Sequence, residues 1–338
     1  MAWYHIPGND QDIAVSTRVR FARNLREYPF PSRLDAAGAR EILGRVGSIL
    51  EKNGFVRTDF SEISGVAAQS LVEKHYASPA FVKESLPHAL FLNEPCNLSV
   101  MVCEEDHIRI QCILSGLSLK DAYEGAGKVE SLLDHALELA FDETKGYLTA
   151  CPTNLGTAMR ASVMLSLPLL TAAGRMEQLS MRLGQTGLLL RGLYGEGSAA
   201  AGCLYQISNR STLGLTEEEI IRHLEESARS LMEAERGCRT GIVGGDMDVL
   251  TDRIRRAEGI LRHAHLLSAG EMLSLLGQAR LGAAMGVLSG VRVEDMTALL
   301  VEAMPATLTL GGENPPKNDR ERDILRAKVV RDRLFGGM

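Results

Sequence analysis

The sequence predicts an α+β protein in which a mixed region of strands and helices precedes an all-helical region. Residues 13–22 and 97–114 alternate apolar and polar side chains, a period of two that is typical of strands. Residues 38–53 instead carry apolar side chains at helical spacing. After a glycine-rich stretch near residue 240, helical patterns continue almost to the last residue. We therefore predict two domains, residues 1–240 and residues 241–338.

The composition excludes several classes of protein. The chain has 338 residues, 45% of them hydrophobic, which is enough for a sizeable core. No run of about 18 apolar residues is present and the first residues lack the order of a signal peptide, so no membrane association is expected. A formal net charge of -6 argues against a dedicated nucleic-acid binder. The six cysteines form no CxxC pair, so we expect no metal site and favour a cytoplasmic protein with reduced thiols.

The first predicted strand points two arginines to one side. In residues 13–22, Ser16, Arg18 and Arg20 share one face, and apolar side chains occupy the other. Two arginines at this spacing lie about 7 Å apart on the same face of a strand. In an arbitrary sequence, a solvated strand face would be the more common explanation.

Two further strands are predicted to meet at an acidic turn. Residues 97–114 read NLSVMVCEEDHIRIQCIL, and the alternation is interrupted at Glu104, Glu105 and Asp106. Taken alone, such a turn is usually just solvated. Ser118 then begins an S-x-x-D capping pattern, which predicts a helix to about residue 141.

A turn-rich segment joins two apolar runs in the middle of the chain. Residues 151–162 read CPTNLGTAMRAS, and alternation then continues to Leu167. This pattern predicts a strand that begins with Arg160 on its polar face. A guanidinium in that position could meet an anion in a cleft.

A glycine-rich loop and a capped helix follow. The segment LLLRGLYGEGS, residues 188–198, carries Arg191 and Glu196, and its glycines allow backbone N–H groups to approach a phosphate. Residues 203–209 are predicted to form an edge strand. Thr216 and Glu219 form a capping box for a helix to about residue 236.

Four of these segments resemble signature motifs of the guanidino (phosphagen) kinases, the family of creatine and arginine kinases. The matching strings are STRVR, EEDHIR, CPTNLGT followed by RASV, and the spacing R-G-x-x-G-E. The resemblance implies a catalytic domain built on an antiparallel sheet flanked by helices, followed here by an all-α domain. It also implies that ATP with Mg²⁺ is bound by five arginines: Arg18, Arg20, Arg109, Arg160 and Arg191. No Walker A sequence is present, so a P-loop is not expected.

The same resemblance assigns the groups that would handle the acceptor. A guanidinium is a poor nucleophile because it is delocalised and remains protonated, with a pKa above about 12. Glu105 and Glu196 are implied to align it, with Glu105 as the base, and the Cys151 thiolate is implied as a third anionic contact. His88 loosely matches a histidine that stacks on adenine, although a structural histidine is about as common.

The layout of the chain resembles one branch of that family, the bacterial protein arginine kinases of the McsB type. Small-molecule members carry a helical domain ahead of the STRVR strand, whereas here that strand begins at residue 16 and the extra helical domain follows. The resemblance implies an open active site, protein substrates with exposed arginines, a homodimer, and marking of substrates for a Clp protease. An activator or adaptor protein would be a further partner.

The last predicted helix carries a second motif of this branch. It contains RDILRA, which resembles the RDxxRA motif of a phosphoarginine-binding site. By that resemblance Arg326 would contact the phosphoryl group and Asp323 the guanidinium, with Arg322 beside them. An exposed helix with salt bridges along its surface would be the ordinary explanation of such a sequence.

Two other functions stay open at this point. A kinase acting on a small free guanidino compound is the main alternative. A phosphoarginine-binding adaptor with an inactive kinase domain is another, although such a domain would be expected to lose some of the site residues. Cys103 and Met164 depart from residues common in relatives, Asn and His respectively, and could shift substrate preference.

Overall fold

The structure of the chain, a computed structural model, describes residues 1–192, 201–311 and 314–336. The strands in the described ranges are β1 Ala14–Arg23, β2 Val56–Asp59, β3 Ala89–Leu92, β4 Leu98–Val102, β5 Ile108–Ser115, β6 Phe141–Asp142, β7 Gly146–Tyr147, β8 Met159–Ser166, β9 Leu188–Gly192 and β10 Leu204–Asn209. The helices are α1 Ala36–Lys52, α2 Gly65–Glu73, α3 Leu119–Asp134, α4 Pro168–Ala172, α5 Met176–Gln185, α6 Glu217–Gly241, α7 Gly245–His263, α8 Ala269–Ala284, α9 Val293–Glu302, α10 Pro305–Leu310 and α11 Asp319–Phe335. The predicted α+β fold class is confirmed.

Eight of these strands form one antiparallel sheet in the order β2-β3-β4-β5-β1-β8-β10-β9. The strand β1 lies at its centre, between β5 and β8. The prediction of an edge strand at residues 203–209 was wrong, because β9 pairs with the free side of β10 and takes the edge position itself.

One face of the sheet is apolar and carries the main hydrophobic core. Side chains such as Val19, Phe21 and Val163 are fully buried there against α1, α3 and α6. Burying each large apolar side chain contributes about 1.5–3 kcal/mol. This packing fixes the sheet from behind and leaves its polar face available for a site.

The helix α3 ends earlier than the sequence pattern suggested, at Asp134 instead of about residue 141. Leu137 and Leu139 are buried, and the Ala140 N–H donates to the carbonyl of Asn24 at 2.7 Å. These contacts turn the chain back toward β1. Ser118 makes no side-chain cap; its N–H donates to Thr17 Oγ1 at 3.1 Å.

The C-terminal helices have a hydrophobic core of their own, formed mainly by α7, α8, α9 and α11. The helix α9 also packs on the polar side of the sheet, where Ala298 and Val301 join Met101 and Ile113 in a third apolar cluster. The C-terminal helices therefore cover part of the face opposite the main core. The division at residues 240 and 241 stays a prediction; it coincides with the last turn of α6.

Within the described residues, no helix combines the length and the apolar character that crossing a membrane requires.

The capping box predicted for α6 is confirmed. Thr216 Oγ1 accepts from the Glu219 N–H at 3.1 Å, and Glu219 Oε2 accepts from the Thr216 N–H at 2.8 Å. Two donors at the helix N-terminus are thereby satisfied.

We expect Thr216→Ala to lower the free energy of unfolding by about 1 kcal/mol, because the Glu219 N–H loses its acceptor. Thr216→Ser keeps that acceptor and serves as the matched control. Urea denaturation followed by circular dichroism measures both. An equal loss in the serine variant would show that the cap does not account for the effect.

Candidate active site

Strand register places four of the predicted arginines on one face of the sheet. Arg18 and Arg20 lie two residues apart on β1 and therefore point to the same face of the sheet. Arg20 lies directly opposite Arg160 on β8, and Ala22 lies opposite Arg109 on β5. Directly paired residues project from the same face of a sheet, so these guanidinium groups converge.

The fifth arginine reaches the same face from the edge of the sheet. Gln206 on β10 pairs with Arg191 on β9 and with Met164 on β8. Met164 lies four residues from Arg160 on its strand and therefore shares its face. The polar face thus collects cations from four different strands.

The electrostatics of this face favour an anionic ligand. Burial, together with the charges of Arg160 and Arg109, lowers the pKa of Arg18 to about 10. Burial also lowers the pKa of Arg20 and of Arg160, and neighbouring arginines add to both shifts. Like charges in a partly desolvated site repel one another, and a polyanion such as a triphosphate would relieve that repulsion.

Two carboxylates hold Arg109 in place at one end of the face. Arg109 Nη1 lies 2.6 Å from Glu104 Oε2, and Nη2 donates to Glu105 Oε2 at 3.0 Å. Glu104 is only 3% exposed and also accepts a hydrogen bond from Ser78 Oγ, whereas the Glu105 side chain is 46% exposed. Glu104 is therefore a fixed counter-ion, and Glu105 remains accessible to an incoming group.

A cleft of about 340 Å³ brings the predicted residues together. It is lined by Arg20, Arg109, Arg160, Glu105 and Cys151, with part of the segment that follows Cys151. The Cys151 thiol is half-buried, with Sγ 3.0 Å from Thr153 Oγ1. Glu196, the second predicted carboxylate, lies outside the described residues.

A buried network that sequence reasoning missed ties the acidic turn to the cysteine segment. Asp106 is fully buried, and its Oδ1 accepts from the Ala150 N–H and from Asn24 Nδ2, both at 2.7 Å. Asn24 Oδ1 in turn accepts from the His107 N–H at 2.9 Å. Asp106 thus fixes the chain on either side of the cleft, next to Glu105 and next to Cys151. The motif string EEDHIR contains Asp106, but the string does not indicate that Asn24 and Ala150 are its hydrogen-bond partners.

A larger cavity of about 570 Å³ continues along the same face. Arg18, Arg20 and His75 line one side of it, and apolar residues of the C-terminal helices line the other. His75 adopts a left-handed backbone conformation with φ 62°, and its carbonyl accepts from Gln111 Nε2 at 2.6 Å. Burial and the charge of Arg18 lower the pKa of His75 to about 4, so its ring is neutral at pH 7. The sequence patterns gave no indication of this histidine.

His88, the histidine singled out from the sequence, lies elsewhere. Its ring packs against Phe60 and Phe81, with centroids 5.1 and 4.7 Å away, and Nδ1 lies 2.6 Å from the Leu86 carbonyl. The cavity that it lines contains none of the five arginines. The structure therefore does not bring His88 together with the arginine face.

The three residues of the C-terminal motif have different environments on α11. Arg326 is 1% exposed, and its guanidinium donates to the carbonyls of Ala303 and Leu267 at 2.8 and 2.9 Å and to Asp323. Its Nε and Nη1 donors are used within the fold, so the predicted contact with a phosphoryl group would fall to Nη2. Arg322 and Asp323 are partly exposed, with side-chain accessibilities of 27% and 31%.

No group of three or more His, Cys, Asp or Glu side chains able to hold a metal ion is found in the part of the chain that the structure describes. The polar face is instead rich in cations. The donor set therefore fits a metal that arrives with a polyphosphate better than a metal held by the protein alone.

Comparison with protein families identifies the class. The profile described as ATP:guanido phosphotransferase, C-terminal catalytic domain, matches residues 44–238. The profile of the protein-arginine kinase McsB C-terminal domain matches residues 247–336. The chain belongs to the ATP:guanido phosphotransferases, as its motifs predicted.

Curated relatives show to which group within this family the chain belongs. A protein-arginine kinase of Symbiobacterium thermophilum is 41% identical over 98% of this chain and 96% of its own length. A protein-arginine kinase of Desulforamulus reducens is 39% identical over 98% of this chain and 95% of its own length. Within the ATP:guanido phosphotransferases, the chain is a member of the protein-arginine kinase family.

Solved structures support the fold. The crystal structure of a lombricine kinase matches 70% of this chain and 70% of its own, with a TM-score of 0.61 and 24% identity. The duplicated taurocyamine kinase of Schistosoma mansoni matches 77% of this chain and 40% of its own, with a TM-score of 0.62 and 24% identity. At this level of identity the likeness concerns the fold alone.

We expect His75 to titrate near pH 4, well below the usual histidine value of 6.5. The folded protein then binds fewer protons than the unfolded chain between these two values, so stability falls as the pH is lowered through that window. NMR of the imidazole Cε1–H, assigned by its loss in His75→Gln, measures the midpoint. Urea denaturation at pH 7 and pH 5 should show a smaller loss of stability for His75→Gln than for the parent protein. A midpoint above 6 would contradict the burial argument.

We expect Asp106→Ala to lower the kcat of phosphoryl transfer by tenfold or more with little change in the KM for ATP. The substitution leaves the Ala150 N–H without its acceptor, costs about 1–3 kcal/mol of stability, and releases the chain beside Cys151. Asp106→Asn keeps an acceptor oxygen and should recover part of the lost kcat. A raised KM with an unchanged kcat would show that Asp106 acts on nucleotide binding instead.

Proposed function

We propose that this protein transfers the γ-phosphoryl group of ATP to arginine side chains of proteins. The observation that carries the proposal is the arginine face, which runs from the larger cavity to a cleft that holds Glu105 and Cys151. The names of the curated relatives support the choice of acceptor.

The geometry supports one orientation of the nucleotide. Arg20 lines both cavities and therefore marks the passage between them. The larger cavity has the apolar wall that suits a base, and the smaller cleft has the carboxylate and thiol that suit a guanidinium. The triphosphate would lie along the arginines, with its γ-phosphoryl group at Arg109 and Arg160.

The transfer exchanges one bond to phosphorus for another. A guanidinium nitrogen of the acceptor attacks the γ-phosphorus, the bond to the bridging oxygen breaks, and ADP leaves with that electron pair. Glu105, accessible at the edge of the cleft, takes the proton from the attacking nitrogen. Cys151 and Glu196 would help to orient the guanidinium. Positioning and charge stabilisation would supply most of the acceleration.

Mg²⁺ is part of the proposal as the ion that accompanies ATP. It would supply positive charge that offsets the negative charge developing on the phosphates during transfer. The residues themselves hold the phosphates through planar guanidinium groups, each able to make paired hydrogen bonds.

The partners and the C-terminal site belong to the same proposal. Arg322 and Asp323 offer a partly exposed cation and anion that suit the phosphoryl group and guanidinium of a phosphoarginine, while Arg326 holds α11 in place. We further propose a homodimer, delivery of marked proteins to a Clp protease, and a cytoplasmic location, in keeping with six free thiols.

Incubation with ATP, Mg²⁺ and unfolded casein should yield phosphoarginine, detected by mass spectrometry under non-acidic conditions that preserve the P–N bond. Free arginine and creatine run in parallel and should remain unmodified. Glu105→Gln should lower the rate at least a hundredfold. Glu226→Gln, which changes an exposed carboxylate on α6, is the matched control and should retain full activity.

Phosphorylation of the free compounds with casein left unmodified would favour the small-molecule alternative. Full activity of Glu105→Gln would remove that residue from the catalytic assignment.

A further inference from the structure

The larger cavity has one wall that the catalytic domain does not supply. Its apolar side is formed by Leu273 of α8, by Leu300 and Val301 of α9, and by Met304 and Pro305 at the corner between α9 and α10. The opposite side carries Arg18, Arg20, His75 and Gln111. A slot with one cationic and one apolar wall suits a flat heteroaromatic base that continues into phosphates.

The corner is held in place from the catalytic domain. Both oxygens of the Glu73 carboxylate, at the end of α2, accept from the first turn of α10: from the Ala306 N–H at 2.9 Å, and from the N–H and Oγ1 of Thr307 at 2.7 and 2.8 Å. Ser70 Oγ lies 3.1 Å from Thr307 Oγ1 as well. These bonds satisfy N–H groups in the first turn of α10 that have no partner within the helix. They also place the negative carboxylate of Glu73 at the positive end of the helix dipole.

A second set of bonds holds the corner from behind. Arg326 Nε donates to the Ala303 carbonyl, the residue directly before Met304. The corner is therefore fixed on both sides, and its side chains face the cavity from a rigid support. Rigid presentation of this kind is what a binding wall needs, because little conformational freedom is lost when a ligand binds.

Among the residues of this wall, Met304 is best placed to touch a ligand. Val301 and Leu273 are 0% and 2% exposed, so they serve the apolar core. Leu300, Met304 and Pro305 are all half-buried at the cavity, and Met304 has the longest and most flexible side chain of the three. Methionine is long and polarizable and makes favourable contacts with aromatic rings.

We propose that Met304 of the C-terminal helical region contacts the base of the bound nucleotide, so that the C-terminal helices complete the nucleotide site. The assignment rests on the proposed function, because it takes the ligand of the arginine face to be ATP. The apolar corner then contributes affinity for the base and none for the phosphates.

Binding measurements with two probes test this division. Isothermal titration calorimetry compares ATP with inorganic tripolyphosphate, which carries the same phosphates but no base. Met304→Ala should weaken ATP binding about tenfold and leave tripolyphosphate binding unchanged. Met304→Leu should restore most of the affinity for ATP. Arg20→Ala should weaken both probes, because it acts on the phosphates.

Leu310→Ala is the matched control, since Leu310 lies at the far end of α10 and is 49% exposed. It should bind both probes as the parent protein does. An equal loss of ATP and tripolyphosphate affinity in Met304→Ala, or unchanged affinity for ATP, would overturn the assignment. Failure of the parent protein to bind either probe would instead remove the proposed function, on which the assignment depends.

Discussion

Mutual repulsion among the arginines of one sheet face is the constraint around which this structure is built. Burial and like charges lower the pKa of Arg18, Arg20 and Arg160, which means that the ligand-free site carries an energetic cost. Other interactions in the fold offset this repulsion. Helices α1, α3 and α6 bury the opposite, apolar face, and the buried Glu104 neutralises part of the charge beside Arg109. A sheet fixed this firmly keeps its cations in place for a polyanion.

The two ends of the arginine face differ, and the difference separates the two ligands. Helix α9 packs across one end, where Ala298 and Val301 contact apolar residues of the sheet, and the larger cavity lies beneath this region. At the other end, Glu105 remains nearly half exposed. The covered end suits a small nucleotide that enters once per reaction cycle, and the accessible end suits an arginine presented by a second macromolecule. The position of the C-terminal helices therefore determines which end of the arginine face is covered and which is accessible.

The sequence predicted residues whose placement depends on local periodicity and missed those that depend on distant contacts. Arg18 and Arg20 follow from a period of two, and Glu105 and Cys151 follow from motif strings that the structure brings to one cleft. His75 lies in an irregular segment after α2, and its left-handed backbone brings it to the arginine face. The interior position of β10 depends on where β9 pairs, which no pattern within residues 203–209 records. Tertiary partners decide such features, and a single sequence does not name them.

The C-terminal motif on α11 is a second case in which tertiary contacts decide a feature that the sequence pattern does not predict. The alternating charges of α11 predict a solvated surface. Arg326 is nevertheless buried, because the backbone carbonyls of Ala303 and Leu267 accept hydrogen bonds from its guanidinium. Burying a guanidinium is costly unless acceptors meet its donors, and these two carbonyls meet Nε and Nη1. Asp323 bonds the same guanidinium and is itself partly exposed. A ligand at Arg322 and Asp323 would therefore contact a carboxylate that bonds directly to Arg326, the arginine that holds the corner beside Met304.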